Sequence, residues 1–111
     1  MNRIYIQWAL SAAALLLFVQ PAMAQPPSKG EGIYKANCMT CHGEDGGGSM
    51  VGKSLHAPNL RSRKVQSKSN AALARFIANG HGAMPSFSES LNHSQIVDVA
   101  RYVHSLPRKR K

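Results

Sequence analysis

The chain has 111 residues, two cysteines and a formal charge of +9, with 14 Lys and Arg against 5 Asp and Glu. That length suits one small domain whose core is marginal if built from side chains alone. Two cysteines are too few for a four-cysteine zinc site, and the positive charge favours anionic partners or surfaces.

The first 24 residues read as a secretory signal peptide. Arg3 gives a small positive region, an apolar stretch runs from Trp8 to Val19, and Ala22-Met23-Ala24 is an A-x-A site with cleavage expected after Ala24. An uncleaved anchor wants about 18 to 20 unbroken apolar residues, and Gln7 and Ser11 shorten the run. Cleavage leaves 87 residues with 13 basic against 5 acidic, formally +8, and no stable membrane span is expected in them.

Residues 25–29 read as an exposed leader. A short helix is expected from Gly30 onward, with Gly30, Tyr34 and Cys38 four apart on one face. It runs into Cys38-Met39-Thr40-Cys41-His42, which has the C-x-x-C-H pattern of c-type haem attachment. Two thiols at this spacing can each add across a haem vinyl group, and the imidazole that follows is placed to ligate the iron. A bare C-x-x-C also fits a redox dithiol or part of a zinc site. The first wants a strand before the motif and a βαβ pattern; the second wants further paired ligands. Neither context is visible.

Gly43-Glu44-Asp45-Gly46-Gly47-Gly48-Ser49 reads as a loop, since consecutive glycines cost backbone entropy and offer nothing to pack. Ala57-Pro58-Asn59-Leu60 is also irregular. A second helix is expected over 70–79, with Asn70 as its N-cap, Leu73, Phe76 and Ile77 on its buried face and Gly80 as its stop. A turn follows at Gly80-His81-Gly82-Ala83-Met84-Pro85. The last helix begins near Asn92, where Gln95 can complete a capping box, and carries Ile96, Val99, Ala100 and Val103 on one stripe. Pro107 ends it, and residues 107–111 form a basic tail. No internal repeat and no strand alternation appear, so the fold class is all-α with long loops.

His56, His81, His93 and His104 are expected to face solvent, and Glu44 and Asp45 to be surface acids of the loop. Arg61, Arg63, Lys64 and Lys68, with the tail Arg108 to Lys111, imitate a nucleic-acid-binding pattern. Export removes that reading and leaves a solvated surface or a docking face for an acidic redox partner or an anionic membrane.

From Gly30 to Leu106 the sequence resembles the class I c-type cytochromes. Gly30, Tyr34, the Cys38 to His42 motif, Ala57 to Leu60, Met84-Pro85, Val99 and Tyr102 carry the resemblance. It implies a cytochrome c fold of three to five short helices around one covalent haem c. The first and last helices would cross at Gly30, close to Tyr102. It also implies Met84, 42 residues after His42, as the sixth ligand. Met39 cannot reach the opposite haem face, while His81 and Met50 are the competing choices. Pro58 matches the family proline whose carbonyl accepts from the proximal histidine, here His42. The function implied is a periplasmic one-electron carrier, itself no enzyme. The other reading is a haem c subunit or a ligand-binding haem protein with a labile sixth site.

Overall fold

Short polar side chains decide where the helices begin. In the computed structural model, which describes residues 17–21 and 28–109, helix α1 (Lys29–Asn37) follows Ser28, whose hydroxyl accepts from the Glu31 amide at 3.1 Å. Helix α2 (Met39–His42) comes directly after Cys38, whose N–H still donates to the Tyr34 carbonyl at 2.8 Å. Ser49 opens α3 (Met50–Ser54) by accepting from the Gly52 amide at 3.0 Å. Ser62 opens α4 (Arg63–Gln66), and Ser69 opens α5 (Asn70–Asn79) by accepting from the Ala72 amide at 3.0 Å. Asn92 opens α6 (His93–Ser105) with a full capping box, both bonds to Gln95 being 2.9 Å. Each cap satisfies an N–H that helix geometry leaves unpaired, worth about 1 kcal/mol.

The architecture is all-α as expected. Six helices lie among the described residues, above the three to five anticipated, because α2 and α4 are single turns of four residues. Helix α1 starts one residue before Gly30, and the cap of α5 is Ser69 and not Asn70. Ser69 takes the extended backbone a cap needs, with φ −68° and ψ 159°, and so leaves Asn70 as the first helical residue. Pro107 does not stop the chain's coiling. A 3-10 turn over Leu106–Lys109 carries it past Ser105, since proline near the start of such a turn forfeits no bond. The expected signal cleavage site at Ala24 and the tail residues Arg110 and Lys111 lie outside the described residues.

Helix α6 is the centre of the packing, with α1 and α5 both lying against it. Its stripe of Ile96, Val99, Ala100 and Val103 is buried, together with Tyr102. Leu73 and Ile77 of α5 join that core, whereas Phe76 stays 43% exposed. Phe76 instead lies under the Lys68 ammonium, 5.1 Å from its ring centre, so its face is covered by a cation and not by the core. At the crossing of α1 and α6, Gly30 lies against the backbone of Asp98, and a Cβ there would meet the Tyr102 Cβ at 2.9 Å. The close approach implied for Gly30 and Tyr102 is therefore present. It brings the fully buried Tyr34 ring to 5.2 Å from that of Tyr102.

Candidate functional site

Tyr34 ties the crossing to the motif. Its hydroxyl donates to the Gly43 carbonyl at 2.6 Å, and burial holds its pKa far above that of an ordinary phenol, so the proton stays available for that bond. The loop after His42 then folds back on α2. Gly48 N–H donates to the His42 carbonyl at 2.7 Å, Ser49 N–H to the Cys41 carbonyl at 3.0 Å, and the Ser49 hydroxyl to the Thr40 carbonyl at 2.6 Å. Helix α3 presses on the same turn at Gly52, where any Cβ would run into the Cys41 carbonyl. Single-residue reading passes over Gly52; its one sequence signal is a glycine inside a run that is otherwise able to form a helix.

On this braced turn Cys38 and Cys41 are half-buried free thiols, and His42 is 8% exposed. Burial, with Cys41 nearby, pushes the Cys38 thiol up to about 11. A redox dithiol needs a depressed thiol pKa, so the environment argues against that reading. Among the described residues no group of three or more His, Cys, Asp or Glu side chains could hold a metal ion, which argues against zinc. Burial lowers the pKa of His42 and so favours the neutral imidazole, the form that ligates iron.

Pro58 departs from expectation. The Nδ1 of His42 is buried with no hydrogen-bond partner, so no bond joins it to the Pro58 carbonyl. The flanking backbone is fixed by Ala57 N–H to the Gly52 carbonyl at 2.8 Å and Leu60 N–H to the Gly46 carbonyl at 2.9 Å.

The three described methionines of the domain sit in different environments. Met84 is half-buried against the core cluster that Cys38 also touches, Met50 is 90% exposed on α3, and Met39 is exposed between the two cysteines. Gly80, with φ 71°, lets the chain turn sharply after α5, and a Cβ there would stand 2.6 Å from the Met84 carbonyl oxygen. The uncovered apolar side chains of Val51 on α3 and Leu55 at its C-terminal cap flank the helix that braces the motif. A pair of thiols on one turn, a buried histidine whose neutral form is favoured and apolar surface beside that turn together fit a covalent haem.

His56, His81 and His93 are exposed as expected, but His104 is half-buried, its Nε2 enclosed without a partner under the end of α6. Glu44 and Asp45 are exposed, and Asp45 pairs with Arg61 at 2.9 Å. Arg61 is therefore no free surface charge, its side chain being 18% exposed, whereas Lys53, Arg63 and Lys64 are exposed. No helix among the described residues is long and apolar enough to cross a membrane.

Residues 25–103 match the family described as cytochrome C oxidase, cbb3-type, subunit III. Cytochrome c6 from Picosynechococcus sp. is 35% identical over 96 residues, covering 82% of each chain. Cytochrome c6 from Cyanidium caldarium is 43% identical over 76 residues, which are 68% of this chain and 67% of that one. The cbb3-type cytochrome c oxidase subunit CcoP of Azospirillum brasilense is 38% identical over 86 residues; these are 75% of this chain and 29% of the relative. A solved c-type cytochrome, KustC0563, superposes with a TM-score of 0.66 at 26% identity, over 69% of this chain and 95% of its own.

Proposed function

We propose a function from the premise that this chain belongs to the class I c-type cytochromes: it is a haem c electron-transfer protein acting as a periplasmic one-electron carrier. Cys38 and Cys41 would hold the group covalently, and His42 and Met84 would ligate its iron. The observation that carries this reading is the buried His42 beside two free thiols on a braced turn, with the half-buried Met84 against the core that Cys38 also touches. When bound, the haem supplies a reversible one-electron couple.

The rest of the work falls to the chain. Burial keeps His42 neutral and able to donate its lone pair. The bonds from Gly48 and Ser49 to α2 brace the turn that would hold the group. With both the His42 imidazole and the Met84 thioether bound, the iron would be closed to small ligands and suited to electron transfer. The exposed Lys53, Arg63 and Lys64 would steer the protein toward a redox partner with an acidic surface.

Mass spectrometry and carbon monoxide test this together. Protein from cells able to mature c-type cytochromes should carry the mass of one haem, and Cys38→Ala/Cys41→Ala should carry none. The reduced holoprotein should ignore carbon monoxide at neutral pH. An unmodified wild-type chain refutes the attachment, and ready carbon monoxide binding refutes the ligand pair. The likeness to CcoP supports a second reading, a haem subunit within an oxidase. Stable co-purification with such a complex would select it.

A further inference from the structure

The turn that carries Met84 also presents an imidazole. His81 N–H donates to the Met84 carbonyl at 3.1 Å and Met84 N–H returns to the His81 carbonyl at 2.9 Å, an isolated antiparallel bridge closed by Gly82 and Ala83. Gly82 has φ 57° while Ala83 keeps a negative φ, the pattern of a two-residue II′ hairpin. Two residues that exchange both backbone bonds stand about 5.5 Å apart at Cα and project their side chains from the same face of the ladder. His81 and Met84 are thus neighbours by construction of the backbone. Met84 is packed against the core, and His81 is exposed.

Little holds His81 outward. Its ring meets the edge of Phe76, with centroids 6.1 Å apart and planes at 81°. Phe76 keeps Lys68 over its face whether or not His81 stays. A Cβ on Gly82 would have nothing within 4 Å, so the tip of the turn is free of neighbours. His81 carries a nitrogen donor on the residue paired by backbone with Met84, and no part of the proposed function uses it.

We propose that His81 is a reserve axial ligand, whose imidazole takes the iron position of the Met84 thioether whenever that thioether is lost. The inference rests on Met84 being the working ligand. In the exchange the iron–sulfur bond breaks and an iron–nitrogen bond forms. The thioether departs neutral with its lone pair, the neutral imidazole donates one from its unprotonated ring nitrogen and keeps its N–H, and neither an electron nor a proton moves between molecules. The result is a six-coordinate site of lower potential, still closed to small ligands.

The test uses holoprotein at one pH, comparing Met84→Ala, Met84→Ala/His81→Ala, Met84→Ala/His81→Gln and Met84→Ala/His56→Ala by electron paramagnetic resonance, absorption and carbon monoxide titration. Met84→Ala should lose the thioether signature and stay low-spin. Either His81 change should then turn the ferric haem high-spin and raise carbon monoxide affinity of the reduced form at least tenfold, and His56→Ala should do neither. A high-spin Met84→Ala overturns the role of His81 while leaving Met84 as ligand. Low-spin haem that survives both His81 changes, or is lost with His56, also overturns it. A Met84→Ala protein indistinguishable from wild type removes the Met84 assignment, and this proposal with it.

Discussion

Gly30→Ala and Gly32→Ala place the same methyl group on α1 two residues apart, with opposite expected outcomes. At Gly30 the new carbon would sit 2.8 Å from the Asp98 carbonyl carbon and 2.9 Å from the Tyr102 Cβ. Neither atom can rotate away, so α1 and α6 must separate. Overpacking of this kind costs about 1 to 3 kcal/mol. Loosening the Tyr34–Tyr102 contact, 5.2 Å between ring centres, puts a further ~0.5 to 1.5 kcal/mol at risk. Alanine's helix preference returns about 0.5 to 1 kcal/mol, leaving a net loss of roughly 2 kcal/mol. In a domain of this size each kcal/mol moves Tm by about 4 to 8 °C, so Gly30→Ala should fall by roughly 8 to 16 °C. At Gly32 a Cβ meets nothing within 4 Å, so only the helix preference acts and Tm should hold or rise slightly. Thermal unfolding of the two holoproteins, followed by circular dichroism, decides the matter. A Gly30→Ala protein as stable as wild type, or a Gly32→Ala protein that falls with it, would refute the argument.

Two further outcomes follow from charge. Asp45 accepts from the Gly47 amide at 2.8 Å and faces Arg61 at 2.9 Å, which together hold its pKa below the ordinary carboxylate value. With the folded value below the unfolded one, its contribution is complete above about pH 4 and is lost as pH falls through the folded value. Carbon-13 titration should place its midpoint below about 3.9, with Arg61→Ala moving it only part of the way back because the Gly47 bond is the larger cause; a midpoint at or above that value in wild type contradicts this. Electron exchange with an acidic partner should slow as salt screens charges over about 8 to 10 Å, and Arg63→Glu/Lys64→Glu should slow it roughly tenfold at low salt. Stopped-flow rates indifferent to both would assign docking to the exposed apolar side chains of Met50, Val51 and Leu55.

What the sequence reveals here depends on how local each cause is. The attachment motif, the Asn92–Gln95 capping box and the Gly80 stop are set by residues within four positions of one another, and all three read directly. Gly30 against Asp98 joins the two ends of the domain, and only the family resemblance made it legible. Helices α3 and α4 escape detection because periodicity needs windows of about 11 residues and these helices have five and four. Phe76 matches the spacing of a buried face, but the groove on α6 accepts only Leu73 and Ile77, and Lys68 covers the ring instead. Arg61 is drawn from the surface by Asp45, 16 residues away, and residue type alone would place both it and the half-buried His104 in water.

The crossing of α1 and α6 bears on how this domain can be used. Because the start of the first helix is seated on the last, the two ends of the domain close on each other within one packing unit. Such a unit can be strung into a longer polypeptide, or fused behind another module, without re-routing any helix. That portability accounts for finding the same pattern over most of a small cytochrome c6 and over 29% of CcoP, a far longer chain.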